Sequence, residues 1–206
     1  MFWKNWSWPK RILSVIFVGF VAAVLYPVFA RSRENDGHGP SCQSRLKQIG
    51  LGLIQYTQDY DEHFPPVAAR GAAYGWADAL QPYVKSTRLF QCPSEYNEGQ
   101  TDPRLSGYTD YWFNVRLSKR ELKTINEPAR LIAAGDGNDG TDLTDARYSI
   151  SALPPQWMSD ANSPLYRHFE AANYLFADGH VKAMKPTSVS NHWSQTDPSF
   201  EPEQAR

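Results

Sequence analysis

The sequence predicts a loop-rich α+β fold in which an apolar N-terminal helix and a second, amphipathic helix precede a body of short antiparallel strands. Three stretches predict it: the uncharged run Ile12 to Ala30, the apolar stripe within 42–61, and the segments 173–177 and 180–184 joined by Asp178-Gly179. A chain of 206 residues, 41% apolar and 14% aromatic, supplies one core of about 100 to 150 residues once the apolar run is set aside. Its 15 prolines and 13 glycines put many turns into that body. Lys and Arg total 21 against 22 Asp and Glu, so the basic field that a phosphate backbone demands is missing, which argues against nucleic acid as a partner.

Ile12 to Ala30 is 19 residues long, preceded by Lys4, Lys10 and Arg11 in a basic, Trp-containing segment (1–11) and followed by Arg31 and Arg33. At a rise of about 1.5 Å per residue, such a run nearly crosses a hydrocarbon layer of roughly 30 Å. It reads as a single-pass anchor in the cytoplasmic (inner) membrane, and Trp3, Trp6 and Trp8 suit the headgroup level. The flanking charges give a small preference for a cytoplasmic N-terminus, which places the remainder in the periplasm or outside the cell. The competing reading is a cleaved secretory signal, because Val28 and Ala30 are small residues at the positions a signal peptidase inspects. Both readings export the body; a buried helix of a cytosolic protein is the third alternative.

Pro27 should bend the apolar helix, and the Gly- and Pro-containing segment 31–40 should break it. Ser41 can then cap a second helix over Cys42 to Asp61, whose Leu46, Ile49, Leu53, Tyr56 and Tyr60 form one stripe, widened by Ile54, that must lie on an apolar surface. The domain's own sheet is the expected surface, with a self-assembly seam as the alternative, and Phe64-Pro65-Pro66 should end the helix. Trp76 to Val84 reads as a short helix interrupted by Pro82, and Tyr108 to Val115 and Arg130 to Ala134 read as strands. A two-residue Asp178-Gly179 loop predicts a type I′ hairpin in which Phe176 faces Val181 and Tyr174 faces Ala183 on the core side, with Ala177 and His180 on the other. The body should therefore span 41–186, and the polar segment 187–206 should be a fraying tail.

Five blocks in this order carry a resemblance: Cys42-Gln-Ser-Arg-Leu-Lys-Gln48, Gln58-Asp-Tyr-Asp-Glu62, Leu89-Phe-Gln-Cys-Pro-Ser94, Glu127 to Asp136, and His168 followed by Asp178-Gly179. The chain from about Val21 to Lys185 resembles the prepilin-type, pseudopilin-like family with the H-x9-DG C-terminal domain, related to subunits of type II secretion and type IV pilus systems. The resemblance implies a pilin-like fold, with the N-terminal helix shared between membrane and ectodomain and packed on an antiparallel sheet. It also implies a structural, non-enzymatic role among other pilin-like or secretion-system subunits. Family members carry a Gly-Phe cleavage site followed by a glutamate. Here Lys10 stands where the glutamate belongs, Trp6-Ser-Trp-Pro9 replaces the usual apolar residues, and Val24 occupies the acidic position after Gly19-Phe20. The inverted charge predicts that the dedicated peptidase leaves this chain unprocessed.

Cys42 and Cys92 are the two cysteines, both in family-like blocks, and export would let a disulfide between them persist, with two buried thiols as the alternative. For chemistry, His168, Asp178 and His180, with Asp136 from a neighbouring strand, are of the types that hold zinc and related transition metals. The simpler role for Asp178 is to cap its own turn and for His168 to hydrogen-bond nearby backbone. Asp136, Asn138, Asp139 and Asp142 offer hard oxygens of the kind Ca2+ takes, but in a spacing that fails the EF-hand pattern. Trp76, Tyr83, Tyr108, Tyr111, Trp112 and Phe113 read as core, or alternatively as a carbohydrate-facing platform. Three function classes follow: a structural pseudopilin-like subunit, a metal-dependent envelope enzyme, and a glycan- or protein-binding module.

Overall fold

The computed structural model describes residues 8, 12–19, 21, 38–68, 73–95, 99–192, 194 and 197–202. The chain divides into two units, Met1–Gly37 and His38–Arg206. In the first, residues 12–19 are helical and their Ile12, Leu13, Val15, Ile16, Phe17 and Val18 are exposed. Among the described residues no helix is long and apolar enough to cross a membrane. The expected anchor beyond Val21, with its Pro27 bend, and the flanking Trp3, Trp6, Lys4, Lys10, Arg11, Arg31 and Arg33 lie outside the described residues.

The second unit is an α+β body in which helix α1 (His38–Asp59) and helix α2 (Trp76–Val84) cover one face of a five-stranded sheet. The strands are β1 (Tyr111–Asn114), β2 (Ile132–Asp136), β3 (Ser149–Ile150), β4 (Ala172–Phe176) and β5 (Val181–Met184), in the spatial order β3-β1-β2-β4-β5. The pairings are antiparallel except β1 with β3, a two-residue parallel edge that the expected antiparallel sheet did not include.

Helix α1 begins four residues earlier than expected, at His38, so Ser41 lies inside its first turn and the chain is helical through Gly39-Pro40. Proline is tolerated there because the first-turn N–H groups have no intrahelical acceptor. Cys42, Leu46, Ile49, Leu53 and Tyr56 form the buried stripe on the sheet, as the 3.6-residue period requires. Tyr60 falls beyond the helix end, is 53% exposed, and stacks on Tyr56 at 4.1 Å. Helix α2 runs through Pro82 rather than stopping at it. Its N-terminus is held by Asp78, whose two carboxylate oxygens accept from the Tyr74 and Gly75 N–H groups at 2.6 Å each.

Both faces of the sheet are covered. Tyr111, Phe113, Leu175 and Ala177 join the helix-side core, whereas Trp112, Ile132, Tyr174 and Phe176 join a second core with Leu153, Trp157, Leu165 and Phe200. The aromatic set is therefore core: Trp76, Tyr108, Tyr111, Trp112 and Phe113 are buried, and Tyr83 is partly so. The described part of the expected fraying tail, to residue 202, instead returns to the sheet. Phe200 stacks on Trp112 at 5.0 Å, and Asn114 Nδ2 donates to the Phe200 carbonyl at 2.9 Å. A sheet with helices on one side needs an apolar cover on the other, and Phe200 supplies part of it.

The closing hairpin differs from expectation by one residue of register. Leu175 pairs with Val181 and Tyr174 with Lys182. Gly179 N–H donates to the Phe176 carbonyl and Phe176 N–H to the His180 carbonyl, each at 2.9 Å, closing a three-residue loop, 177–179. Only Gly179 (φ 89°) has positive φ in it, which fits a turn followed by a glycine bulge rather than the two positive angles of a type I′ turn. Ala177 thus lies in the helix-side core, while His180 stacks on Phe176 at 4.2 Å on the other side.

Candidate functional site

Five buried polar residues, Gln91, Asp110, Asp136, His168 and Asn173, lie where the segment 90–95, the end of β2 and the turn before β4 meet beside the start of α1. Cys42 and Cys92 form a disulfide, with Cα atoms 5.2 Å apart and a sequence separation of 50. Closing a loop of that size stabilises the fold by about 4 kcal/mol in the chain-entropy model. His168 is placed against the bridge, its Nε2 3.8 Å from Cys92 Sγ and 3.3 Å from Asp136 Oδ2. Its backbone exchanges two hydrogen bonds with Ala171, at 3.0 and 3.2 Å, which turns the chain into β4.

Asp136 ends β2 with its side chain fully buried. Its Oδ2 also accepts from Asn173 N–H at 2.6 Å and Asn173 Nδ2 at 3.0 Å, which aligns β4 on β2. Its Oδ1 is buried and lacks a hydrogen-bond partner among the described residues. Beside it, Asp110 accepts from Cys92 N–H at 2.6 Å and from Asn138 Nδ2 at 2.7 Å. Arg167 donates to the carbonyls of Gly137 (2.9 Å) and Asn138 (2.7 Å) and is ion-paired with Glu95. Tyr111 donates to the Cys42 carbonyl at 3.3 Å, and Arg45 on α1 donates to the Arg88 and Gln91 carbonyls at 2.7 Å each. Asp110, Arg167 and Asn173 escaped the sequence reading. The available signal was position: Arg167 adjoins His168, and Asp110 and Asn173 are polar residues beside or within apolar strand segments.

The expected metal set does not assemble. His168 meets Asp136, but Asp178 and His180 lie at the hairpin tip, partly exposed and paired with each other at 2.6 Å. The 5 residues of β4 intervene, a separation of roughly 16 Å at about 3.3 Å per residue. Asp178 instead caps its own turn, accepting from His180 N–H at 3.1 Å. Among the described residues, the group of three side chains with metal-ligand reach is Cys42, Cys92 and His168, and its sulfurs are bonded to each other.

The four residues of the expected Ca2+ loop likewise turn to separate donors. Asp136 is held by Asn173. Asn138 accepts from Gly140 N–H at 3.1 Å, Asp139 from Thr141 Oγ1 at 2.7 Å and Trp157 Nε1 at 2.8 Å, and Asp142 from the Tyr148 hydroxyl at 2.5 Å. Burial tends to raise the Asp139 carboxyl, but the Trp157 and Thr141 donors outweigh it and hold the group below its usual value. The side chains of this loop are thus engaged within the loop and with Asn173, Tyr148 and Trp157.

The two ends of the H-x9-DG segment grip α1 at two heights. His168 sits on the disulfide that holds Cys42, and Gly179 touches the helix at Gly50, where a Cβ would come within 2.8 Å of the Gly179 carbonyl oxygen. The arrangement is a clamp fixing a helix to a sheet. Compared with protein-family models, curated proteins and solved structures, the chain matches none of them.

Proposed function

We propose that this chain is a membrane-anchored, pseudopilin-like structural subunit of a type II secretion or type IV pilus-like system, working by presenting its body on an N-terminal helix. The observation that carries the reading is the double clamp on α1, through His168 at the Cys42–Cys92 bridge and Gly179 at Gly50. A subunit that presents a body needs that body rigid, and the clamp fixes α1 to the sheet within it. A disulfide plus a close backbone approach does this without any catalytic group. The exposed apolar side chains of residues 12–18 suit a lipid environment, and the disulfide suits an exported body.

In this reading the N-terminus is cytoplasmic, as the flanking basic charges favour, and stays unprocessed, because Lys10 stands at the position of the glutamate that would pair with a neighbour's terminal amine. Partners are the membrane and other pilin-like or secretion-system subunits. The test is purification from membranes with mass spectrometry of the N-terminus and of co-purifying chains. The expected result is an intact N-terminus, a membrane-bound chain, a body open to protease from outside the cytoplasm, and pilin-like companions. An N-methylated new terminus would overturn the processing claim, and a chain recovered freely dissolved in the cytoplasm would overturn the role.

A further inference from the structure

We propose that, when the Cys42–Cys92 bridge is reduced, the same place binds one zinc ion through the two thiolates and His168, so that metal and disulfide are alternative cross-links at the root of α1. The three donors are buried together, and two further polar groups face them. Ser94 Oγ lies 3.6 Å from Cys42 Sγ, and Asp136 Oδ2 lies 3.3 Å from His168 Nε2. Zn–N and Zn–S bonds of about 2.0 and 2.3 Å at a tetrahedral angle set N···S and N···O edges of about 3.5 and 3.3 Å. The His168 Nε2 to Cys92 Sγ separation of 3.8 Å and the Asp136 separation of 3.3 Å are already near those lengths. The three donor atoms already lie within 4.8 Å of one another, and reduction frees the two sulfurs to part.

The second, independent observation is Asp136 Oδ1, a buried carboxylate oxygen with no hydrogen-bond partner among the described residues. A buried anion of this kind is costly unless a cation or donor faces it. Asp136 Oδ2 faces the same His168 Nε2 that would take the metal, so the carboxylate adds negative charge beside the ion rather than holding the other ring nitrogen. The chemistry balances simply: a dithiol reductant gives two electrons and two protons to the bridge and becomes a cyclic disulfide, and the metal then displaces the two thiol protons to solvent. The site does not depend on the envelope role proposed above.

The test uses the full chain in detergent, reduced with dithiothreitol, freed of reductant without oxygen, and titrated with Co(II) as the spectroscopic stand-in for zinc. The expected result is one equivalent bound, with a thiolate-to-cobalt charge-transfer band and the visible bands of a tetrahedral ion, displaced by zinc. The oxidised chain should show none of this. His168→Asn should weaken binding about tenfold or more, while His168→Cys should restore it with a stronger charge-transfer band. Circular dichroism of the parent and of each variant after reduction shows that it is folded. A reduced, folded chain without the bands, or a folded His168→Asn that binds as well as the parent, would overturn the proposal. So would a His168→Cys that fails to restore binding.

Discussion

Gly50 on α1 and Gly179 in the β4–β5 loop face each other so closely that a Cβ on Gly50 would lie 2.8 Å from the Gly179 carbonyl oxygen and 2.6 Å from Leu175 Cδ1. Replacing a helical glycine by alanine ordinarily stabilises by about 1 kcal/mol through propensity. Here the obstacle is backbone, which cannot rotate aside, so Gly50→Ala should instead destabilise by about 1–3 kcal/mol. Gly179→Ala adds positive φ to a contact of 2.9 Å with Ile54 Cγ1, whereas Gly140 has φ 83° and open space around it. Urea unfolding should therefore rank Gly179→Ala as more destabilising than Gly140→Ala. Equal losses would mean that strain alone acts and the helix contact contributes nothing.

Asp136 supplies one oxygen to two Asn173 donors and to His168, deep between β2 and β4. Asp136→Ala strands those donors and should cost about 3 kcal/mol or more, while Asp136→Asn keeps an acceptor for Asn173 and should cost less. Denaturant midpoints of the two variants decide it. A near-neutral Asp136→Ala would mean that the polar cluster does not hold the strands in register.

The helix stripe was legible because a 3.6-residue period survives whatever the helix packs on, and Cys42, Leu46, Ile49, Leu53 and Tyr56 obey it. The hairpin was legible in existence but not in register. Asp-Gly serves both a two-residue loop and a three-residue loop with glycine in the left-handed region, and β4, buried on both faces, lacks the alternation that would choose. The cysteine pairing followed from the resemblance, and Asp136 was among the residues singled out. What the sequence could not reveal was which histidine it meets. Asp178 and His180 adjoin in sequence and look like ligands, yet β4 carries them away from His168, and Asp110 and Arg167 gain their partners only once distant loops converge.

Burial raises several tyrosines above their ordinary value: Tyr108 is pushed up to about 12, and Tyr111, Tyr148 and Tyr174 are also raised, with nearby carboxylates adding to the effect. The neutral folded form is therefore fully stable below the unfolded value of about 10. As pH rises past it, the unfolded chain ionises first, and stability falls by about 1.4 kcal/mol per pH unit for each tyrosine kept neutral. Urea midpoints measured from neutral to strongly alkaline pH should stay flat with respect to these groups, then drop steeply above about pH 10. The Tyr174 hydroxyl is buried without a hydrogen-bond partner among the described residues, so Tyr174→Phe should leave neutral-pH stability unchanged or higher and make the alkaline drop shallower. An unchanged alkaline slope would exclude Tyr174 from this effect.

The turn between His168 and β4 is built from the wrong residues for its shape. Phe169 and Glu170 have φ of 54° and 61°, and Phe169 is 85% exposed. The paired hydrogen bonds between His168 and Ala171 close a two-residue loop with both central residues at positive φ, a geometry that favours Asn-Gly and costs other residues about 1–2 kcal/mol each. Phe169→Asn with Glu170→Gly should therefore stabilise the protein by about 1–2 kcal/mol, read as a higher urea midpoint. The Lys185–Glu170 ion pair lost in the exchange is exposed on both sides and contributes little. A stabilised variant that also loses its membrane companions would make Phe169 a contact residue kept in a strained turn for that purpose. A destabilised variant would show that the loop does not hold these angles in solution.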